Sequence, residues 1–189
     1  IVPAIDADAD GNFVVVWESN GSSGGDTAVE SVQGQRYSAA GGTQGAQFQV
    51  NSYTTAQQRN PAIASDADGE FVVAWQSIGS SGGDTSSGSV QGQRYSSSGV
   101  PQSGQFQVNS YTSNDQFAPK IASDANGDFV VVWPSSGSDG DTSEFSVQGQ
   151  RYSAAGVPQG GQFQVNTYTT GTQTTPAIAT DADGNFVVA

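Results

Sequence analysis

The 189-residue sequence contains no histidine, no cysteine and no methionine, and only 5 basic side chains against 18 acidic ones. Each absence closes a class of function. Without cysteine there is no disulfide framework, thiolate nucleophile, zinc finger or iron–sulfur site. Without histidine there is no Ser-His-Asp triad, imidazole base or histidine-ligated metal. The net charge of −13 has the wrong sign for gripping a phosphate backbone or an anionic lipid surface, so nucleic acid is not expected as a partner. No apolar run is long enough to span a bilayer, and no membrane insertion is expected. Hydrophobic residues make up 34% of the chain and 25 glycines add to them. Together they approach the ordinary globular proportion, enough to bury a core.

What is present is a repeat. Pro3, Pro61, Pro119 and Pro176 open four copies of one unit at spacings of 58, 58 and 57 residues. Such a chain is read by its unit before its elements. The units run over residues 3–60, 61–118 and 119–175, with a partial fourth over 176–189. Trp75 to Trp133 keeps the interval of 58 whereas Asp84 to Asp141 spans 57, so the missing residue lies in a Gly/Ser stretch where a loop absorbs it. Because the fourth copy stops inside its second strand, the chain is expected to be part of a larger ring or array.

Each unit predicts four short strands, rich in Val, Phe, Tyr and Trp and bounded by Gly, Asp, Asn and Ser. In the first copy they cover 3–8, 13–19, 31–38 and 47–52. The first connection contains Asp8-Ala9-Asp10-Gly11-Asn12, a hairpin turn in which Gly supplies positive φ and Asp bonds nearby amides. The second strand is apolar on both faces, with Phe13, Val15 and Trp17 on one and Val14 and Val16 on the other. A strand of that kind lies between stacked sheets. Trp17, Trp75 and Trp133 are therefore read as core. No stretch has helical periodicity. The expected fold is all-β, built of four-stranded antiparallel blades of a β-propeller; the alternative is a β-solenoid of stacked four-stranded repeats.

The run Pro-Ala-Ile-Ala-Ser-Asp-Ala-Asp-Gly-Glu-Phe-Val-Val-Ala-Trp, from Pro61 to Trp75, resembles the first two strands of blades in sialidase-like and related bacterial β-propellers. With Ser-Val-Gln-Gly-Gln-Arg-Tyr (Ser89 to Tyr95) and Gln-Phe-Gln-Val-Asn-Ser (Gln105 to Ser110), the whole unit is similar to tandem repeats of very large secreted or surface proteins of bacteria. Those proteins are often adhesin-like. The resemblance implies an extracellular or bacterial cell-surface location and implies little about activity.

Three features are candidates for chemistry. The acidic turn, with Asp8 and Asp10, Asp66 and Asp68, and Asp124, begins like a calcium loop: Asp6, Asp8, Asp10 and Gly11 match the opening of an EF-hand. Its twelfth position is Trp17 where a bidentate Glu is required, and a strand follows instead of a helix. A plain hairpin turn and a Ca2+ site both remain as readings. In the loop between second and third strands, Asp26, Asp84 and Asp141 recur in a Gly-rich setting, joined by Asp139 in the third copy. Carboxylate, hydroxyl and carbonyl oxygens there suit a hard cation, or simply a solvated loop. Arg36, Arg94 and Arg151 always stand in Gly-Gln-Arg-Tyr. Sialidases clamp a carboxylate with three arginines, but these lie on the third strand, where pairing with a carboxylate or capping of carbonyls between blades is expected.

A meander places the long second-to-third and fourth-to-first connections on one side of the sheets, which is where binding loops belong. Tyr53, Tyr111 and Tyr168 on that side are candidate ligand-binding rings, or rings packed under the loop. Nearly every candidate recurs in register, whereas an active site is a single asymmetric constellation. The expectation is thus a non-enzymatic structural or adhesive scaffold, with a cell-surface glycan or other copies of the surface assembly as partners. The alternatives are a glycan-binding propeller with one weak site per blade, acting by avidity, and part of a glycan hydrolase using paired carboxylates.

Overall fold

The computed structural model describes residues 3–21, 24–26, 29–79, 82–138, 140–141 and 143–189. The strands β1 (Ala4–Ala7), β2 (Phe13–Asn20), β3 (Glu30–Tyr37) and β4 (Thr43–Gln49) form one antiparallel sheet in meander order. A second sheet repeats it with β5 (Gln58–Ser65), β6 (Phe71–Ile78), β7 (Gly88–Tyr95) and β8 (Pro101–Gln107). The third comprises β9 (Lys120–Ser123), β10 (Phe129–Ser136), β11 (Phe145–Tyr152) and β12 (Phe163–Gln164). Finally β13 (Ile178–Thr180) and β14 (Phe186–Val188) pair with each other alone. Among the described residues there is no helix.

The turns form for the reasons the sequence suggests. The Asp8 amide donates to the Asn12 carbonyl at 2.9 Å, and Gly11 takes φ of 80°. That dihedral lies in the left-handed region which side chains with a Cβ avoid. The Asp8 carboxylate then accepts the amides of Asp10 and Asn12 at 2.9 and 2.8 Å, closing the hairpin with its own side chain.

The fourth strand departs from expectation. It covers Thr43–Gln49 instead of 47–52, because pairing with β3 starts at Tyr37↔Thr43, immediately after the tight turn closed by Ser38 and Gly42. Gln44 and Gly45 carry no alternation that would announce a strand. Beyond Gln49 the Val50 amide still bonds Val32, after which Asn51 turns inward and ends the ladder.

The core lies between sheets. Val14, Val16, Val32 and Val50 of the first sheet pack on Ile63, Phe71, Val73, Trp75 and Tyr95 of the second. One unit later Val72, Ala74, Val90 and Val108 pack on Ile121, Phe129, Val131, Trp133 and Tyr152. The third junction sets Val130, Val132 and Val147 against Ile178, Phe186 and Val188. Trp75 and Trp133 are fully buried, each worth roughly 2–3 kcal/mol of apolar burial. Trp17 is half-buried, and among the described residues no sheet packs on that face of the first one.

The repeated Phe and Tyr obey the register. Phe13↔Tyr37, Phe71↔Tyr95 and Phe129↔Tyr152 are direct cross-strand partners, and their rings stack with centroids 4.9, 4.8 and 4.8 Å apart. On the third strand a glycine recurs for a steric reason: a Cβ on Gly34, Gly92 or Gly149 would lie 2.6 Å from the ring of Phe48, Phe106 or Phe163. The ring of the fourth strand lies flat over the space a side chain would fill.

Candidate functional site

Two ends of the sheets hold the candidate residues. The short turns end them on one side, and the long loops on the other.

On the turn side, the three acidic positions of the first copy point to separate tasks. Asp6 accepts the Ser65 amide of the next sheet at 2.6 Å. Asp8 closes its own turn, with Asn12 Nδ2 donating to its second oxygen at 2.8 Å. Asp10 is exposed. In the second copy Asp66 accepts the amides of Asp68 and Glu70 at 3.0 and 2.9 Å, and Asp68 is exposed. Burial pushes the Asp66 carboxyl above the usual range, against the pull of those two amides. Asp124 is buried and accepts the amides of Asn126 and Asp128. Successive turns are stitched together: the Ala9 amide meets the Ala67 carbonyl and the Ala67 amide meets the Ala125 carbonyl, both at 3.4 Å.

Between the first and second sheets this side opens into a cleft of about 200 Å³, lined among others by Asp8, Phe13, Arg36, Tyr37 and Asp68. The equivalent space between the second and third sheets is about 10 Å³. There Glu70 accepts the Gln102 side-chain amide at 3.1 Å.

On the loop side, Asp26, Asp84 and Asp141 are 2, 1 and 1% exposed. Their oxygens face protein donors. Asp84 accepts the amide and hydroxyl of Ser86 on one oxygen and Asn109 Nδ2, at 2.8 Å, on the other. Asp141 repeats this with Ser143 and Asn166, and Asp26 accepts Asn51 Nδ2 at 2.7 Å. Those asparagines in turn accept the amides of Val32, Val90 and Val147 at 2.8 Å. Each aspartate thus pins its loop to the end of the fourth strand. Hydrogen bonds from Ser143, then Asn166, hold the buried Asp141 carboxyl below the usual range. Asp139 falls outside the described residues.

Tyr53 and Tyr111 are half-buried, each with its hydroxyl against the next sheet's bend. A Cβ on Gly79 would stand 3.4 Å from the Tyr53 hydroxyl, and one on Gly137 would stand 3.6 Å from that of Tyr111. Tyr168, which has no complete sheet beyond it, is 68% exposed.

Several polar residues turn out to join sheets. Arg36 donates to the Ser97 and Ser98 carbonyls, the latter at 2.7 Å, and Arg94 donates to the Ala155 carbonyl at 2.9 Å. Both reach the third-to-fourth-strand hairpin of the following sheet, so carbonyl capping between sheets is what these two arginines do. The Tyr95 and Tyr152 hydroxyls reach back to the Val50 and Val108 carbonyls at 3.3 Å. Gln105 Oε1 receives the amides of Ser52 and Tyr53, and Gln162 Oε1 those of Ser110 and Tyr111. The acids without counterparts in every unit brace the linkers: Glu30 pairs with Arg59 at 3.2 Å, Glu18 accepts the Asn60 amide, and Asp115 accepts the Gly88 amide.

Among the described residues no three acidic side chains gather as a metal-holding group. No protein-family model matches the chain, and no curated protein matches it either.

Proposed function

We propose that this chain is a non-enzymatic scaffold segment of a bacterial surface or secreted assembly, giving reach and rigidity through stacked repeats. The observation that carries the reading is where the recurring polar residues go. Arg36 and Arg94, Tyr95 and Tyr152, Gln105 and Gln162 are engaged in sheet-to-sheet hydrogen bonds. Asp26, Asp84 and Asp141 clamp loops. Repetition of this kind serves a quasi-one-dimensional stack, in which each unit is stabilised by its neighbours.

The propeller is the arrangement we favour over the solenoid. First strands of successive sheets pack on one another, β1 on β5, β5 on β9 and β9 on β13, while no other like-placed strands do so to that degree. Sheets that converge at one strand and spread at the rest suit blades around an axis. Small-angle scattering separates a curved fan from the straight rod that a solenoid requires.

A second reading, a glycan-binding propeller, draws on the cleft where the stacked Phe13 and Tyr37 rings stand beside Arg36 and Asp8. A glycan array run with calcium and with chelator decides between them. The scaffold reading expects no retained glycan under either condition. Saturable binding abolished by Tyr37→Ala would overturn it in favour of the lectin.

A further inference from the structure

We infer that the cleft between the first and second sheets binds the amino-terminal residue of a peptide, an α-ammonium group with a carbonyl oxygen beside it. The molecule carries its own comparison. The first two junctions repeat one backbone, with Arg36↔Gln44 in one register and Arg94↔Gln102 in the other. Yet the space is about 200 Å³ at the first and about 10 Å³ at the second. Asn12 and Glu70 hold equivalent places there. Glu70 lines the second space and accepts Gln102 Nε2 at 3.1 Å. Asn12 instead folds back on its own hairpin, donating to Asp8 at 2.8 Å and accepting the Ala39 amide at 3.3 Å. A side chain of the protein thus fills at the second junction what is a cleft at the first.

The first cleft makes two demands on an occupant. Gln44 spends its oxygen on Arg36 Nη2 at 2.9 Å. Its Nε2, the atom that grips Glu70 in the next copy, donates to nothing among the described residues. The occupant therefore brings an acceptor to Gln44. On the two walls Asp10 and Asp68 are exposed, and among the described residues nothing donates to their carboxylates. The occupant therefore also brings N–H donors. Asp8, Asp10 and Asp68 face a single cation, Arg36, which the Ser97 and Ser98 carbonyls already engage. That balance favours positive charge over negative. A peptide's amino terminus meets all three conditions, because its ammonium donates with charge assistance and its neighbouring carbonyl accepts without adding a negative charge. At the second junction Asn126 stands where Asp68 stands at the first, so charge and space change together.

The inference goes beyond the scaffold reading and stands apart from glycan retention, which tests that reading by itself. Alaninamide is titrated into the whole chain while backbone amide chemical shifts are followed. Saturable shifts are expected at residues 8–12, 44 and 65–69, the cleft walls. N-acetylalaninamide, which lacks the ammonium, should produce none, and ethylamine, which lacks the carbonyl, should bind more weakly. Affinity should fall as pH rises past the α-amino range near about 8. Asn12→Glu copies the second unit and is expected to abolish binding in a folded protein, while Asp68→Asn weakens it by about tenfold. The converse change, Glu70→Asn with Asn126→Asp, should bring new shifts at residues 66–70 and 102. The inference is overturned if saturating alaninamide leaves the first cleft unmoved, if N-acetylalaninamide shifts it equally, or if folded Asn12→Glu protein binds as the parent does.

Discussion

The hydroxyl of Tyr152, on the third sheet, donates to the main-chain carbonyl of Val108, on the second, at 3.3 Å across a buried junction. Tyr95 makes the same bond to Val50 one unit earlier. Both phenols are buried, and burial pushes both above their ordinary range.

Tyr152→Phe is expected to lower stability by about 1 kcal/mol, the net worth of one such bond, with the ring stack retained. Because the folded phenols hold their protons more tightly than the unfolded ones, their contribution is complete below the unfolded phenol range near pH 10 and is lost as pH rises beyond it. Alkaline difference spectroscopy should show Tyr95 and Tyr152 titrating only with unfolding. Ionisation of both in the native protein would contradict this.

Arg94 and Arg151 form an internal control. Arg94 bridges to the Ala155 carbonyl, while Arg151 is exposed. Denaturant midpoints should put Arg94→Ala about 1–2 kcal/mol below the parent and Arg151→Ala within about 0.5 kcal/mol of it. Equal losses would mean that the arginines act within their own sheets.

Gly92→Ala places a methyl 2.6 Å from the tip of the Phe106 ring. The expected cost is about 1–3 kcal/mol, as for other overpacked cores, measured by thermal unfolding. Pairing it with Phe106→Leu should recover part of the loss, and a purely conformational glycine would not respond.

Asp84→Ala removes a buried carboxylate that accepts Asn109 Nδ2 and the amide and hydroxyl of Ser86, and is expected to cost about 2 kcal/mol. A chelator should leave the melting temperature of the parent unchanged, and a calcium-dependent rise would restore the metal reading.

Acid sensitivity has a definite sign. Hydrogen bonds from Ser143 lower the Asp141 carboxyl, and the Asn185 side chain chiefly lowers that of Asp181. Their stabilisation is present above the unfolded carboxyl range near pH 4 and is lost as pH falls below it. Asp66, raised by burial, contributes in the opposite direction, favouring the fold when protonated. Asp141→Asn should therefore flatten the acid limb of a stability profile, and an unchanged limb would remove Asp141 from the account.

The unit, the strands and the doubly buried β6 and β10 could be read from the sequence because they are local: periodicity and turn residues lie next to one another in the chain. Gly92 could not be explained that way, since its reason is a phenylalanine 14 residues later on another strand. The same holds for Asp84, a metal candidate by composition, whose clamp onto Asn109 joins residues 25 apart. Thr43–Gln49 was misplaced because β4 is fixed by its partner and by a turn, with little hydropathy of its own.

The first-to-second and second-to-third junctions are each fastened twice on the turn side. One fastening joins the first-strand turns, as between Ala9 and Ala67, and the other joins the distant hairpin, as between Arg36 and Ser98. Two pins set apart leave a joint no freedom to swivel. The angle at one such junction is then set by the unit itself, and any curvature of stacked units is the sum of those angles. A single substitution written into every copy would change the angle at every such junction, which makes the arginine and the hairpin carbonyls it caps the place where the shape of a stack is set.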